Sequence, residues 1–244
     1  MIRLTRSAAP AYLTNAKVTE LTSEFKATKE SVWRKPQITQ PLLSSSADKC
    51  AYCECKIDEE SKYMEVEHFK NKNDFPDLVV QWDNLLPACK RCNVSKSTHD
   101  VVNQPIINPY DDEPRNHLYM NWYRFIGKDQ KGKTTVDVIS LNDTDRATTK
   151  RFQIGQQIHI NISDIFDKLE RYKLDGTVLR RNRLLGSVRN LLRECQRSSE
   201  YAATAATVVV NDELFGTVLL DMRALDIWLP DLDALYIEAV SISY

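Results

Sequence analysis

Two pairs of cysteines at C-x-x-C spacing constrain this chain more than any other feature. They are Cys50 with Cys53 and Cys89 with Cys92, separated by residues 54–88. A C-x-x-C turn can place two thiolates on one side of a metal ion, and two such turns complete the tetrahedral four-sulfur shell that zinc prefers. Four cysteines can also hold an iron–sulfur cluster. Ligand type and spacing favour zinc, so we predict a structural Zn²⁺ site.

Two further cysteines have different expected roles. Cys55 could replace Cys53 as a ligand, but Cys53 keeps the x-x spacing and is favoured. Cys195 lies in an apolar helical pattern, where a free thiol behaves as a small buried hydrophobe. A closed four-sulfur site has no open position for water or substrate, so any chemistry requires a second site.

The cysteine clusters and the absence of long apolar runs predict a cytoplasmic protein. No apolar run approaches the roughly 20 residues that a membrane helix needs, so we expect no membrane partner. The first residues, Met1–Arg6, lack the apolar stretch of a signal peptide. In a reducing compartment, clustered thiols bind metal more often than they form disulfides.

The segment between and after the cysteine pairs carries a second set of chemically capable residues. Glu67 and His68 lie in a short predicted strand, Asn84 precedes Leu-Leu-Pro, and Asn93 follows the second cysteine pair. A histidine suits proton transfer near neutral pH, and carboxylate or amide oxygens suit Mg²⁺. Strand neighbours point to opposite faces, so Glu67 and His68 can serve one site only where the strand ends or twists.

This arrangement resembles the HNH, or ββα-metal, endonuclease family. The order and spacing of an acidic residue, a histidine, an Asn turn and a C-x-x-C-N segment all agree. The resemblance implies that His68 is the general base and that Glu67 and Asn93 bind one catalytic Mg²⁺ or Mn²⁺ ion. It also implies that Asn84 orients the loop carrying His68. The family often has histidine where Asn93 stands, which bears on the choice of metal.

Contacts to nucleic acid must come from local patches or from a partner chain, because the net charge is −1. Five cations near the predicted site could neutralise phosphates and give salt-dependent binding. These candidates are Lys70, Lys72, Lys90, Arg91 and Lys96. DNA is the expected substrate of the family, and RNA is an alternative.

The likeness extends beyond the nuclease pattern to the PtuB family, the HNH subunits of Septu and retron-associated antiviral systems. The residues that carry it are Lys49–Glu54 and Ile106–Asp111. The resemblance implies an ABC-type ATPase partner, PtuA, and in some systems a reverse transcriptase with its RNA–DNA product. This chain has no P-loop pattern, so ATP hydrolysis would belong to the partner.

Two other functions stay open at this point. A non-catalytic zinc module could bind nucleic acid or protein, although it would not need Glu67, His68, Asn84 and Asn93 together. An RNase on the same scaffold would use the same residues on another substrate.

The predicted fold is α+β: a zinc-stapled ββα-metal (HNH) module, an added β-hairpin and a C-terminal α-helical region. We predict a helical arm at 1–45, a nuclease domain at 46–141 and a helical, partner-docking region at 142–244. Two runs rich in strand-forming residues, Tyr119–Ile126 and Thr134–Leu141, are predicted to form the hairpin.

Overall fold

The computed structural model describes residues 1–57 and 63–244 and divides into two compact units. The first unit comprises Met1–Tyr119 and Phe125–Asn142, and the second comprises Met120–Arg124 and Asp143–Tyr244. The regular elements are α1 (Asn15–Thr28), α2 (Pro36–Ser44), β1 (Met64–His68), β2 (Leu85–Cys89), α3 (Lys90–Lys96), α4 (Pro114–His117), β3 (Leu118–Asn121), β4 (Arg124–Gly127), α5 (Gln130–Val138), α6 (Thr149–Asp175), α7 (Val178–Glu194), α8 (Ala202–Asn211), α9 (Glu213–Ala224) and α10 (Pro230–Ile242).

Strands β1 and β2 and helix α3 form a ββα arrangement at the centre of the first unit. The strands pair antiparallel, with Met64 opposite Cys89 and His68 opposite Leu85. Helix α3 starts directly after β2, and the Cys89 sulfur accepts a hydrogen bond from the backbone N–H of Cys92 (3.4 Å). The strand–helix junction is therefore also the second cysteine turn.

The N-terminal helices pack onto this arrangement. In α1, Leu21 and Phe25 fall one helical turn apart and are both buried, as amphipathic helices require. Helix α2 contributes Ile38 and Leu42 to the same apolar core. This core also contains Trp33, Val66, Val79, Val80, Trp82 and Leu85. Segment 1–45, which the sequence predicts as a helical arm, is thus part of the packing around β1 and β2.

The predicted hairpin is wrong in its second strand. Strands β3 and β4 form a hairpin of their own, turning at Trp122 and Tyr123, which both have positive φ. Residues Thr134–Leu141 instead fall largely in helix α5, whose N-terminus is capped by Asp129 through the Gly132 N–H (2.7 Å). Tertiary packing outweighs the strand preference of the β-branched residues here.

Gly132 explains why a helix can occupy this position. A Cβ atom at Gly132 would lie 2.0 Å from the carbonyl oxygen of His117, so α5 approaches the chain before β3 only because this residue has no side chain. The hydroxyl of Thr135 in α5 accepts a hydrogen bond from the backbone N–H of Ile107 (2.8 Å) and donates one to the carbonyl of Lys131 (2.7 Å). These contacts fix α5 in the first unit.

The second unit is built from helices α6–α10, which confirms the predicted C-terminal helical region. Helix α6 contributes Ile158, Ile162, Ile165 and Leu169 to its core, and Cys195 is buried after α7. Among the described residues, no single helix is long and apolar enough to cross a bilayer; α8 and α9 meet those criteria only jointly, with a bend of 71° between them.

Candidate active site

The four predicted cysteines converge into one cluster. The sulfur atoms of Cys50, Cys53, Cys89 and Cys92 all lie within 4.8 Å of one another, and those of Cys53 and Cys89 are 3.8 Å apart. A tetrahedron with Zn–S bonds of about 2.3 Å has sulfur–sulfur edges of about 3.8 Å. The donor set therefore fits zinc. Within the described residues, this cluster does not include Cys55, which agrees with the choice of Cys53.

Beside the cluster, β1 and α3 line a cavity of about 260 Å³. Glu67, His68 and Asn93 all line it, although they come from different elements. His68 is the last residue of β1, so the strict alternation of strand side chains need not hold beyond Glu67. The structure thus brings the predicted base and both predicted metal ligands to one cavity.

His68 is held by a hydrogen bond and by an aromatic contact. Its Nε2 lies 2.9 Å from the carbonyl oxygen of Val79, and the ring of Trp33 meets it edge-on at 4.5 Å between centroids. A carbonyl can only accept, so Nε2 carries the hydrogen and Nδ1 is the basic nitrogen. Burial and, to a smaller extent, the charges of Lys72 and Lys96 together lower the pKa of His68 to about 4, although the hydrogen bond to Val79 opposes the shift. The imidazole is neutral at pH 7.

Glu67 is buried against a lysine. Its Oε1 lies 2.5 Å from the ammonium nitrogen of Lys96, and both side chains are almost fully enclosed. Lys96 also donates to the backbone carbonyl of His68 (2.9 Å). Burial raises the pKa of Glu67 to about 7, while the charges of Lys96 and Lys72 oppose that rise. The carboxyl group therefore titrates near neutral pH when no metal is bound.

Asn84 fixes the loop that follows His68. Its Oδ1 accepts from the Lys70 N–H (2.8 Å), and its Nδ2 donates to the carbonyls of Lys70 (3.0 Å) and Leu78 (3.2 Å). The backbone oxygen of Asn84 also accepts from the Phe69 N–H (2.9 Å). Asn84 is buried and makes contacts with the loop backbone, and these are the contacts expected of a residue that orients this loop.

Two of the five predicted nucleic-acid contacts are corrected by the structure. Lys96 is 1% exposed and pairs with Glu67, so it cannot reach a phosphate from this position. Arg91 is partly buried and donates to the Ser140 carbonyl (2.8 Å), which ties α3 to the end of the first unit. Lys70 and Lys90 are exposed, as a surface contact requires.

Sequence reasoning did not assign several residues of the cavity. Asn71, Ser97 and Thr98 line it together with the predicted set. Trp33 was also missed, because it lies far before the cysteine pairs and contacts His68 only through the fold. No local spacing signals such a contact.

The cavity residues also fit a divalent cation. Glu67 supplies a carboxylate and Asn93 an amide oxygen, and hard oxygen donors of this kind suit Mg²⁺ or Mn²⁺. The two metal sites are chemically distinct, since the cysteine cluster is made of soft sulfur donors.

The cysteine cluster and the ββα unit that carries Glu67, His68 and Asn93 are the features of an HNH endonuclease domain. Residues 50–99 match the HNH endonuclease family. Septu protein PtuB of Bacillus thuringiensis is 46% identical over 230 residues, covering 93% of this chain and 89% of the relative. Septu protein PtuB of Bacillus mycoides (strain KBAB4) is 26% identical over 220 residues, covering 71% of this chain and 74% of the relative. The chain belongs to the PtuB family of Septu proteins.

Proposed function

We propose that this protein is a metal-dependent endonuclease that hydrolyses phosphodiester bonds in nucleic acid. The observation that carries the proposal is the convergence of Glu67, His68 and Asn93 on one cavity beside the cysteine cluster. A structural zinc ribbon would not need a buried histidine with a fixed tautomer next to oxygen donors. DNA is the substrate we expect, with RNA as the other candidate.

In this mechanism, His68 removes a proton from the attacking water. The Val79 carbonyl holds the Nε2–H, so the lone pair of Nδ1 accepts the proton. The charges of Lys72 and Lys96 lower the pKa of His68, and a bound phosphodiester anion would offset these charges and raise that pKa again. Substrate binding would therefore strengthen the base.

The remaining site residues bind and orient. Glu67 and Asn93 would hold the divalent ion, which supplies charge stabilisation for the phosphate and the leaving oxygen. Asn84 keeps the loop after His68 in place through its hydrogen bonds to the Lys70 backbone. Lys70 and Lys90 lie on the surface and would contact flanking phosphates.

We further propose that the nuclease acts in the cytoplasm as the effector of an anti-phage complex with an ABC-type ATPase, PtuA. The 46% identity to a Septu protein PtuB supports this setting. The helical region 142–244 would dock the partner, and in retron-associated systems a reverse transcriptase and its product would join. The net charge of −1 fits a nuclease that depends on a complex to reach nucleic acid.

The test is cleavage of DNA and RNA by wild type and His68→Ala, with Mg²⁺ or Mn²⁺, alone and with the ATPase. We expect wild type to cleave and His68→Ala to lose activity while its zinc content stays the same. His159→Ala is a matched control for the reactions without the ATPase, because His159 lies in the second unit and contacts Asp212 (2.8 Å). Full cleavage by His68→Ala would refute the assignment of the base.

A further inference from the structure

The loop after β1 presents one lysine to the cavity from a fixed position. Asn71 is buried, and its Oδ1 accepts from the N–H groups of Asn73 (3.1 Å) and Asp74 (3.0 Å). Its Nδ2 donates to the Thr98 carbonyl (3.2 Å) just after α3. With Asn84 holding Lys70, the backbone on both sides of Lys72 is fixed.

The side chain of Lys72 is half-buried and lines the same cavity as Glu67, His68 and Asn93. Its ammonium nitrogen lies 5.3 Å from the ring centroid of Trp33, the ring that also meets His68. Among the described residues, no carboxylate forms an ion pair with it, whereas the buried Lys96 is paired with Glu67. Lys72 is therefore a cation at the cavity whose charge is not already neutralised.

The electrostatics of the neighbouring residues agree with this position. The charge of Lys72 lowers the pKa of both Glu67 and His68, so it acts on the predicted metal ligand and on the predicted base. A phosphodiester next to His68 would bring a negative charge into the same space, and a lysine acts on phosphate as a point charge.

We propose that Lys72, supported by the ring of Trp33, binds the scissile phosphate beside His68. The inference rests on the proposed nuclease function and adds a substrate-contacting residue to it. Trp33 lies outside the matched residues 50–99, so a residue of the N-terminal segment would complete the active site. Trp33 is a positioning residue here, since it contacts His68 and Lys72 rather than the substrate.

The alternative explanation is that Lys72 only packs over the ring of Trp33 and has no contact with substrate. Lys29 offers the matched control, because its ammonium nitrogen lies 5.2 Å from the ring of Phe25, and it does not line this cavity. Lys29→Met removes the same charge and the same kind of ring contact in the same unit. A general loss of positive charge or of packing would therefore affect Lys29→Met as much as Lys72→Met.

The experiment compares cleavage kinetics of full-length wild type, Lys72→Met, Lys72→Arg and Lys29→Met, with the ATPase present. We expect Lys72→Met to lower kcat/KM about 10²-fold, mainly through kcat, because a transition-state contact is lost. Lys72→Arg should recover most of the activity, and Lys29→Met should match wild type. Zinc content and melting temperature should be the same in all four.

A second measurement separates substrate contact from structural support. Binding of a DNA duplex is measured against salt with Ca²⁺ in place of Mg²⁺, and the log–log slope for Lys72→Met should fall by about 1 relative to wild type. If wild type cleaves but Lys72→Met equals Lys29→Met in both measurements, the inference is wrong and the nuclease function stands. If wild type cleaves nothing, the proposed function fails first, and the inference falls with it.

Discussion

Replacing Lys96 by Met tests whether the buried ion pair with Glu67 is what allows that carboxyl group to ionise. The two charged atoms are 2.5 Å apart and almost fully enclosed, and the substitution keeps an unbranched side chain of similar length. It removes the charge and also the hydrogen bond that Lys96 donates to the His68 carbonyl (2.9 Å), a loss that is the same at every pH. We expect the free energy of unfolding to respond in a strongly pH-dependent way.

The sign follows from the pKa of Glu67, which burial raises from 4.5 to about 7. Between pH 4.5 and 7, Glu67 keeps its proton in folded wild type but has lost it in the unfolded chain. The contribution of Glu67 to the free energy of unfolding therefore falls as pH rises from 4.5 to 7 and is constant above pH 7. Without the charge of Lys96, the pKa of Glu67 in the folded state rises above 7, so the free energy of unfolding of the variant continues to fall above pH 7. Each further pH unit costs the variant about 1.4 kcal/mol relative to wild type.

The expected magnitudes differ between two pH values. At pH 6 Glu67 is mostly protonated in both proteins, and Lys96→Met should lie within about 1 kcal/mol of wild type, since an apolar side chain can replace a buried charge at little cost. At pH 9, two units above the wild-type pKa, the variant should be about 3 kcal/mol less stable.

The assay is urea unfolding at pH 6 and pH 9, with zinc bound and without added Mg²⁺. Tryptophan fluorescence is measured in a Trp122→Phe, Trp228→Phe background, which leaves Trp33 and Trp82 as reporters of the first unit. Lys96→Met with Glu67→Gln is the matched control, because it removes the titrating carboxyl group and should abolish the added pH dependence. An equal loss of stability at both pH values would refute the electrostatic argument.

Two further substitutions test the zinc site and the position of α5. Cys89→Ser should give zinc-poor protein with an unfolded first unit, because a structural zinc site supplies folding free energy. Circular dichroism and zinc analysis measure the folded fraction and the metal content, and a folded, zinc-free variant would contradict this expectation. Gly132→Ala should lower the melting temperature, because the added Cβ would lie 2.0 Å from the His117 carbonyl oxygen, with Gly216→Ala, which meets nothing within 4 Å, as the control. Equal melting temperatures for the two glycine variants would show that α5 can shift freely.

The zinc cluster was predictable because its information is local. Each C-x-x-C turn is short, and the ligand type limits the metal, so the structure confirms the convergence of Cys50, Cys53, Cys89 and Cys92. The ββα order was implied by the resemblance to HNH endonucleases, and the C-terminal helices followed from apolar periodicity. The catalytic roles of Glu67, His68, Asn84 and Asn93 stay predictions, although three of the four line one cavity.

The hairpin error has a tertiary cause. Thr134–Leu141 is rich in β-branched residues, and the glycines at 127 and 132 read as a connecting loop. In the structure, Asp129 caps a helix at Gly132, and that glycine packs against the His117 carbonyl. The glycine is there for a close approach of the backbone, which a sequence pattern cannot distinguish from a turn.

Lys72 and Lys96 also show that a sequence pattern does not reveal tertiary packing, because the residues next to each lysine in the sequence do not indicate that Lys96 is the buried one. Lys96 follows Asn93 by three residues, so helix geometry turns it toward β1, where Glu67 is its partner. Lys72 lies in a loop, yet two asparagines fix that loop and Trp33 supports the ammonium group over the cavity. Lys96 is thus enclosed in an ion pair with a buried carboxylate, while Lys72 lines the cavity, and the sequence alone does not distinguish these two positions.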